Sequence, residues 1–245
     1  MIRHFGISAT GLKLIAIIAM VIDHVAWQVS LSSTLFLLLH GIGRLTMPIM
    51  CFFIAEGFYH TQNRKNYALR LMLFAVISQM PFNYFMTGNP FSMGIGIGSL
   101  NVLFCLLLGL CALWVIKSKC KTVIKIALVA LCLLGAVFCD WMIFGVLWIL
   151  VFGLNRGLFK RQVLCFCAVA TGVFAYFAAN ALMGNPWIYA FIQIGVFLAL
   201  PFLSTYNGKK NSGPTSNWLS SKWAFYIFYP LHLLIIAFLF YGTTL

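Results

Sequence analysis

The chain has 245 residues, 63% of them apolar and only 8% charged, with sixteen Lys and Arg against three Asp and Glu. Soluble domains run near half apolar and about a quarter charged. This composition therefore excludes a water-soluble globular protein and predicts an all-α, polytopic membrane bundle, a single integral-membrane domain over residues 1–245. The net charge of +13 reads as loop charge that sets membrane orientation, not as a nucleic-acid footprint.

A spanning helix needs about 20 mostly apolar residues. Taken in chain order, that rule predicts nine helices, at 13–30, 35–59, 67–86, 101–117, 122–139, 141–154, 162–182, 187–203 and 223–243. The second is long and carries Gly41, Gly43 and Pro48, which invite a kink or local unwinding. No short apolar stretch is followed by a small-residue cleavage site and a soluble domain, so a removable signal peptide is not expected.

The charges test the count. With the N-terminus inside, the cytoplasmic ends collect Arg3, Lys13, Arg64, Lys65, Arg70, Lys117, Lys119, Lys121 and Lys125. Arg156, Lys160, Arg161, Lys209, Lys210 and Lys222 follow, making fifteen of the sixteen basic residues. The opposite loops, near 30–34, 87–100, 139–141 and 184–186, hold no Lys or Arg. The expected setting is a bacterial-type cytoplasmic membrane with the C-terminus outside. The longest connection, Ser204 to Ser221, reads as a polar cytoplasmic loop. Met93 to Leu100, with Gly94, Gly96 and Gly98, reads as a mobile or re-entrant outer loop. The eight cysteines show neither metal-ligand spacing nor a disulfide framework, and no metal site is expected.

The sixteenth basic residue, Arg44, lies inside the second span. Ionisable groups at membrane depth are costly, usually face the bundle interior and mark functional sites. At about 1.5 Å of rise per residue, Asp23, His24, Arg44 and His232 all fall within about 5 Å of the midplane. Ser78, Gln79 and Gln193 reach the same level by that arithmetic. Glu56 falls roughly 13 Å toward the cytoplasmic side, one turn before His60 and on the same helix face. Asp140, at the outer start of the sixth helix, reads equally as a cap or as a site residue.

Adjacent helical positions point about 100° apart, so Asp23 is expected to pair across the bundle with Arg44 or His232 rather than to hold His24. A single Asp23–Arg44 pair is also what a packing lock would need. Two histidines at the same depth add groups that take and give protons near neutral pH.

Five blocks carry a family resemblance: LKLIAIIAMVIDHV (Leu12–Val25), GRLTMPIMCFFIAEGFYHTQNRKNYALRLMLFAVISQMPF (Gly43–Phe82), NVLFCLLLGL (Asn101–Leu110), DWMIFGVLWILVF (Asp140–Phe152) and KWAFYIFYPLHL (Lys222–Leu233). In order and over almost the whole chain, they resemble the TraX family. The chain departs at Thr46-Met47, where a small residue and an aromatic are expected, and at Cys105, where Thr is frequent. That family is associated with N-terminal acetylation of conjugative pilin. It is distantly similar to multi-pass acyltransferases that use acetyl-CoA and carry a functional histidine in an early helix.

The resemblance implies an acetyltransferase that moves acetyl from acetyl-CoA to an amine or hydroxyl of a membrane-associated or exported acceptor, a pilin-like peptide or a glycan. His24 is the expected general base, or a nucleophile through an acetyl-histidine. Asp23 tunes or orients a basic partner. Arg44 holds Asp23 or stabilises negative charge, and His232 and Glu56 are second choices for proton transfer. CoA phosphates call for the basic face, with Arg64, Lys65, Arg70, Arg156, Lys160 and Arg161 as candidates. Two rivals stand beside this reading: a transporter that uses the midplane Asp, Arg and His, and a non-catalytic membrane interaction protein.

Overall fold

The computed structural model describes residues 6–92, 96–209, 221 and 223–242. Arg3, Lys210, Lys222, Met93 and Gly94, and most of the Ser204–Ser221 loop, lie outside the described residues. The chain is all-α: α1 (Ala9–Gln28), α2 (Ser33–Gly43), α3 (Thr46–His60), α4 (Arg64–Thr87), α5 (Val102–Ile116), α6 (Thr122–Ala136), α7 (Met142–Leu154) and α8 (Phe159–Leu182). They are followed by α9 (Ile188–Phe191), a 3-10 helix (Ile192–Leu198), α10 (Ala199–Ser204) and α11 (Ala224–Tyr241). Among the described residues, four segments are long and apolar enough to cross a membrane: α1, the α2–α3 stretch, α8 and α11. Shorter apolar helices are α5, α6, α7 and the Ile188–Ser204 stretch.

Local sequence sets the boundaries. Ser8 accepts a hydrogen bond from the Gly11 amide (3.2 Å) and starts α1 four residues before the apolar run suggested. Asn63 caps α4 through the Asn66 amide (2.9 Å), and Gly88 closes that helix with a left-handed φ of 71°. Asn101 caps α5 through the Leu103 amide (3.0 Å). The expected break in the second span falls at Arg44–Leu45, where helical bonding tightens and the Leu45 amide donates to the Ile42 carbonyl (3.3 Å). Pro48 explains it: proline has no N–H to give the carbonyl four residues back, which is that of Arg44, and its ring crowds that carbonyl.

The described residues group into two compact units. The described residues of the first fall within Met1–Met50 and Phe159–Phe228, those of the second within Cys51–Leu158 and Tyr229–Leu245. In the first, α1 and α2 form a hairpin over the short Val29–Ser32 connection, and α2 packs on the 3-10 segment. Gly195 makes that crossing possible, because a Cβ there would run into the Gly41 carbonyl oxygen. Thr46 ties the start of α3 to α1 by donating to the Ala16 carbonyl (3.3 Å).

In the second unit α5 is the central rod, packed by α4, α6 and α7. Leu106, Leu110, Leu113, Trp148 and Ile149 are fully buried there. Burying a Leu or Ile side chain contributes about 1.5–3 kcal/mol relative to leaving it in water, although a bilayer supplies part of that environment itself. A polar knot holds the start of α5. Asn101 donates to Gln79 Oε1 (2.8 Å) and to the Ala75 carbonyl (2.8 Å), while Gln79 donates to Asn83 (2.8 Å) and the Ser99 carbonyl (2.9 Å). Gln79, expected at the level of the site, therefore serves helix packing.

Candidate active site

The α1–α2 hairpin brings together a carboxylate, an imidazole and a guanidinium. His40 Nδ1 donates to Asp23 Oδ1 at 2.7 Å, and Arg44 Nη2 stands 3.6 Å from the same oxygen. His40 and Arg44 are four residues apart, so both reach Asp23 from one side of the second span. The approach is close because Gly43 lies between them. A Cβ at Gly43 would overlap the Asp23 side chain.

The group is nearly dry: the side chain of His40 is fully buried, with Arg44 13% and Asp23 16% exposed. Aromatic rings cover the imidazole. Phe36 packs at 4.1 Å and Trp27 at 4.6 Å between ring centroids, and Tyr189 lies 6.4 Å from Trp27 in a stacked arrangement.

The hydrogen bond fixes the chemistry. An ionised carboxylate has no proton to give, so His40 Nδ1 carries the hydrogen and neutral His40 presents Nε2 as a lone pair. Buried polar atoms almost always have a partner, yet His40 Nε2 is buried with none. A histidine of fixed tautomer, held by a carboxylate and with its second ring nitrogen unsatisfied, has the chemistry of a general base. Gln193, 2% exposed in the 3-10 segment, is anchored by its Nε2 to the Tyr189 carbonyl (3.1 Å). Its Oε1 is likewise buried without a partner.

The residues expected from sequence sort as follows. Asp23 and Arg44 meet. His24, next to Asp23 in the chain, turns its Nδ1 toward the Met20 carbonyl of its own helix at 2.7 Å. His232 belongs to the other unit, where it is buried and packs 5.6 Å from the Tyr229 ring. Asp23 sits about 7 Å beyond the middle of α1, a little deeper into the C-terminal half than expected, because the Ser8 cap lengthens the helix at its other end.

His40 was not among the expected residues. Taken along a single straight span, it lies about 10 Å from the middle and falls outside the band that held Arg44. Two signals point to it: the i, i+4 spacing with Arg44, and the hairpin, in which positions counted outward from Val29–Ser32 bring Asp23 and His40 to similar heights.

Glu56 lies in the second unit, on α3. Arg156 grips it with two bonds, Nε to Oε1 at 2.8 Å and Nη2 to Oε2 at 3.0 Å. His60 Nε2 stands 3.2 Å from both Glu56 Oε2 and Arg156 Nη2. Of the six basic residues expected to meet CoA, Arg156 lines a cleft there with Glu56 and Tyr59. Arg64 covers the Phe58 ring at 4.2 Å and Arg70 lies 5.8 Å from the Tyr67 ring. Lys65, Lys160 and Arg161 are exposed. Among the described residues no group of three or more His, Cys, Asp or Glu could hold a metal ion.

Apolar helices enclosing a dry acid–histidine pair define a polytopic membrane protein with a buried polar centre. The chain belongs to the TraX family, whose model, described as TraX protein, matches residues 8–240. It is similar to the Probable fimbrial assembly protein FimC of Dichelobacter nodosus, 34% identical over 243 residues and covering 97% of each chain. No solved structure matches.

Proposed function

We propose that this protein is a membrane-embedded acetyltransferase that passes acetyl from acetyl-CoA to an amine or hydroxyl of an exported acceptor. A pilin-like polypeptide is the acceptor class that the fimbrial-assembly relative favours. One observation carries the reading: a fully buried histidine, His40, is hydrogen-bonded through Nδ1 to Asp23 and keeps an unpartnered Nε2.

In the reaction, the acceptor nitrogen or oxygen attacks the thioester carbon while its proton goes to His40 Nε2. The C–S bond breaks, and CoA leaves as the thiol with that proton. Asp23 holds the tautomer and stabilises the imidazolium between the two transfers. Arg44 balances the Asp23 carboxylate and offers positive charge to the oxygen of the attacked carbonyl. His40 is preferred to His24 as general base because its Nδ1 is held by a carboxylate that can balance an imidazolium, whereas His24 Nδ1 meets a neutral backbone carbonyl.

The membrane setting proposed is nine crossings of the cytoplasmic membrane with the N-terminus inside, supported by the one-sided distribution of basic residues. Single cysteines at Gly88 and Lys119, probed with an impermeant thiol reagent in intact cells, should label from opposite sides; labelling from the same side would sink this topology. The activity is tested by incubating purified protein in detergent with labelled acetyl-CoA and peptide or glycan acceptors. Label appearing in an acceptor supports the reading. Neither transfer nor hydrolysis above the protein-free rate contradicts it.

A further inference from the structure

The second unit contains an open cleft of about 520 Å³ lined by Glu56, Tyr59, Lys117, Gly153, Leu154, Arg156 and Gly157. Its volume lies within the range of small-molecule sites, roughly 300–1,000 Å³. Lys117, missing from the expected CoA contacts, projects from the C-terminal cap of α5, and its ammonium has no partner among the described residues.

Tyr59 forms an aromatic wall, fixed by a 2.6 Å hydrogen bond from its hydroxyl to the Gly153 carbonyl. The Arg156 guanidinium lies 4.8 Å from the centre of that ring. Gly157, with a left-handed φ of 82° that side chains rarely adopt, turns the chain at the rim and adds no bulk. The lining carries two cations and one carboxylate.

That carboxylate occupies the guanidinium fork. Arg156 presents two parallel N–H groups to Glu56 at 2.8 and 3.0 Å, the geometry in which arginine also binds phosphate. The pair is partly wet, with Arg156 40% and Glu56 18% exposed. Solvent reaches the fork, and the exchange of one oxyanion for another does not require breaking a dry ion pair.

We propose that this cleft binds the phosphorylated nucleotide end of acyl-CoA, with a phosphate replacing the Glu56 carboxylate on Arg156 and meeting Lys117 as its second cation. The inference rests on the acetyl-transfer reading and names the donor-binding residues for it. Glu56 then acts as an internal competitor: it keeps the fork oriented while the cleft is empty and yields it to a dianionic phosphate. The Tyr59 ring, once the guanidinium turns toward phosphate, offers a face to the adenine.

The test uses the full-length protein in detergent with CoA, dephospho-CoA and 3′,5′-ADP as probes, read by calorimetry. Saturable binding of CoA and 3′,5′-ADP is expected. Lys117→Ala and Arg156→Ala should each weaken it by about tenfold or more, as loss of a charge-assisted contact does. Glu56→Gln should tighten it by a few fold, with sizing and thermal unfolding confirming that each variant stays folded. Binding that is indifferent to Lys117→Ala overturns the proposal. So does Glu56→Gln binding more weakly than wild type while remaining folded. Displacement of nucleotide by phosphatidylglycerol vesicles, with no reverse competition, assigns the cleft to lipid headgroups and also overturns it.

The two readings fail separately. Acetyl transfer with an unchanged KM for acetyl-CoA in Lys117→Ala sinks the cleft alone. The expected binding pattern without any transfer supports the cleft and sinks the acetyl-transfer reading.

Discussion

The protein carries two clusters made of the same three chemistries, an acid, an arginine and a histidine, in different solvents. In Asp23–His40–Arg44 the histidine side chain is fully buried and takes the short bond to the carboxylate, with the arginine at 3.6 Å. In Glu56–Arg156–His60 the histidine side chain is 71% exposed and the arginine holds the carboxylate with two bonds. Water accounts for the difference in what each cluster can do. A dry carboxylate fixes a histidine tautomer and leaves Nε2 as a base, whereas a wet one can be exchanged for a ligand's oxyanion. The first arrangement suits proton transfer and the second suits recognition.

The comparison breaks most visibly at the two acids. Asp23→Asn leaves Arg44 without its counter-charge and lets His40 reverse its donor. Breaking a buried pair costs about 3–5 kcal/mol, so thermal unfolding in detergent should show a large loss. Transfer should fall by about a hundredfold or more in the fraction that remains folded. Glu56→Gln removes a partly exposed pair and should change stability by less than about 1 kcal/mol. Equal losses at the two sites would erase the distinction between them.

A smaller effect is expected at two neighbouring glycines. Gly43→Ala places a methyl where the Asp23 side chain stands, so Asp23 must move away from His40, and transfer should drop by about tenfold or more. A Cβ at Gly41 meets nothing within 4 Å. Gly41→Ala should therefore leave transfer intact and add up to about 1 kcal/mol through helix propensity. Similar rates for these two variants would show that the close approach at Gly43 does not matter. The smallest effect is expected at His60→Gln, which should leave transfer within about twofold of wild type, because nothing in the proposed proton path uses it.

The helices were largely legible from the chain. Each of the nine apolar runs overlaps a helical segment, from 13–30 against Ala9–Gln28 to 223–243 against Ala224–Tyr241, and among the described residues four of these segments are long and apolar enough to cross a membrane. That Asp23 needs a basic partner across the bundle was also legible, since a charge at that depth needs one, but the sequence left Arg44 and His232 as alternatives and the structure brings in Arg44. His40 is hidden in the sequence because a single straight rod places it about 10 Å from the middle of the span. The structure breaks that rod at Arg44–Leu45, and the hairpin sets which residues face each other. Lys117 was hidden for another reason: it sits among lysines that topology already explains, and only the cleft shared with Tyr59 and Arg156 singles it out.

Proton transfer at the Asp23 site depends on which histidine carries the proton. Transfer of labelled acetyl by purified His40→Gln and His24→Gln proteins, matched for folded fraction by sizing, decides it. The predicted result is a loss of about a hundredfold to ten-thousandfold for His40→Gln, the range for a removed general base, with His24→Gln within a few fold of wild type. Full activity in His40→Gln, or a loss confined to His24→Gln, would contradict it.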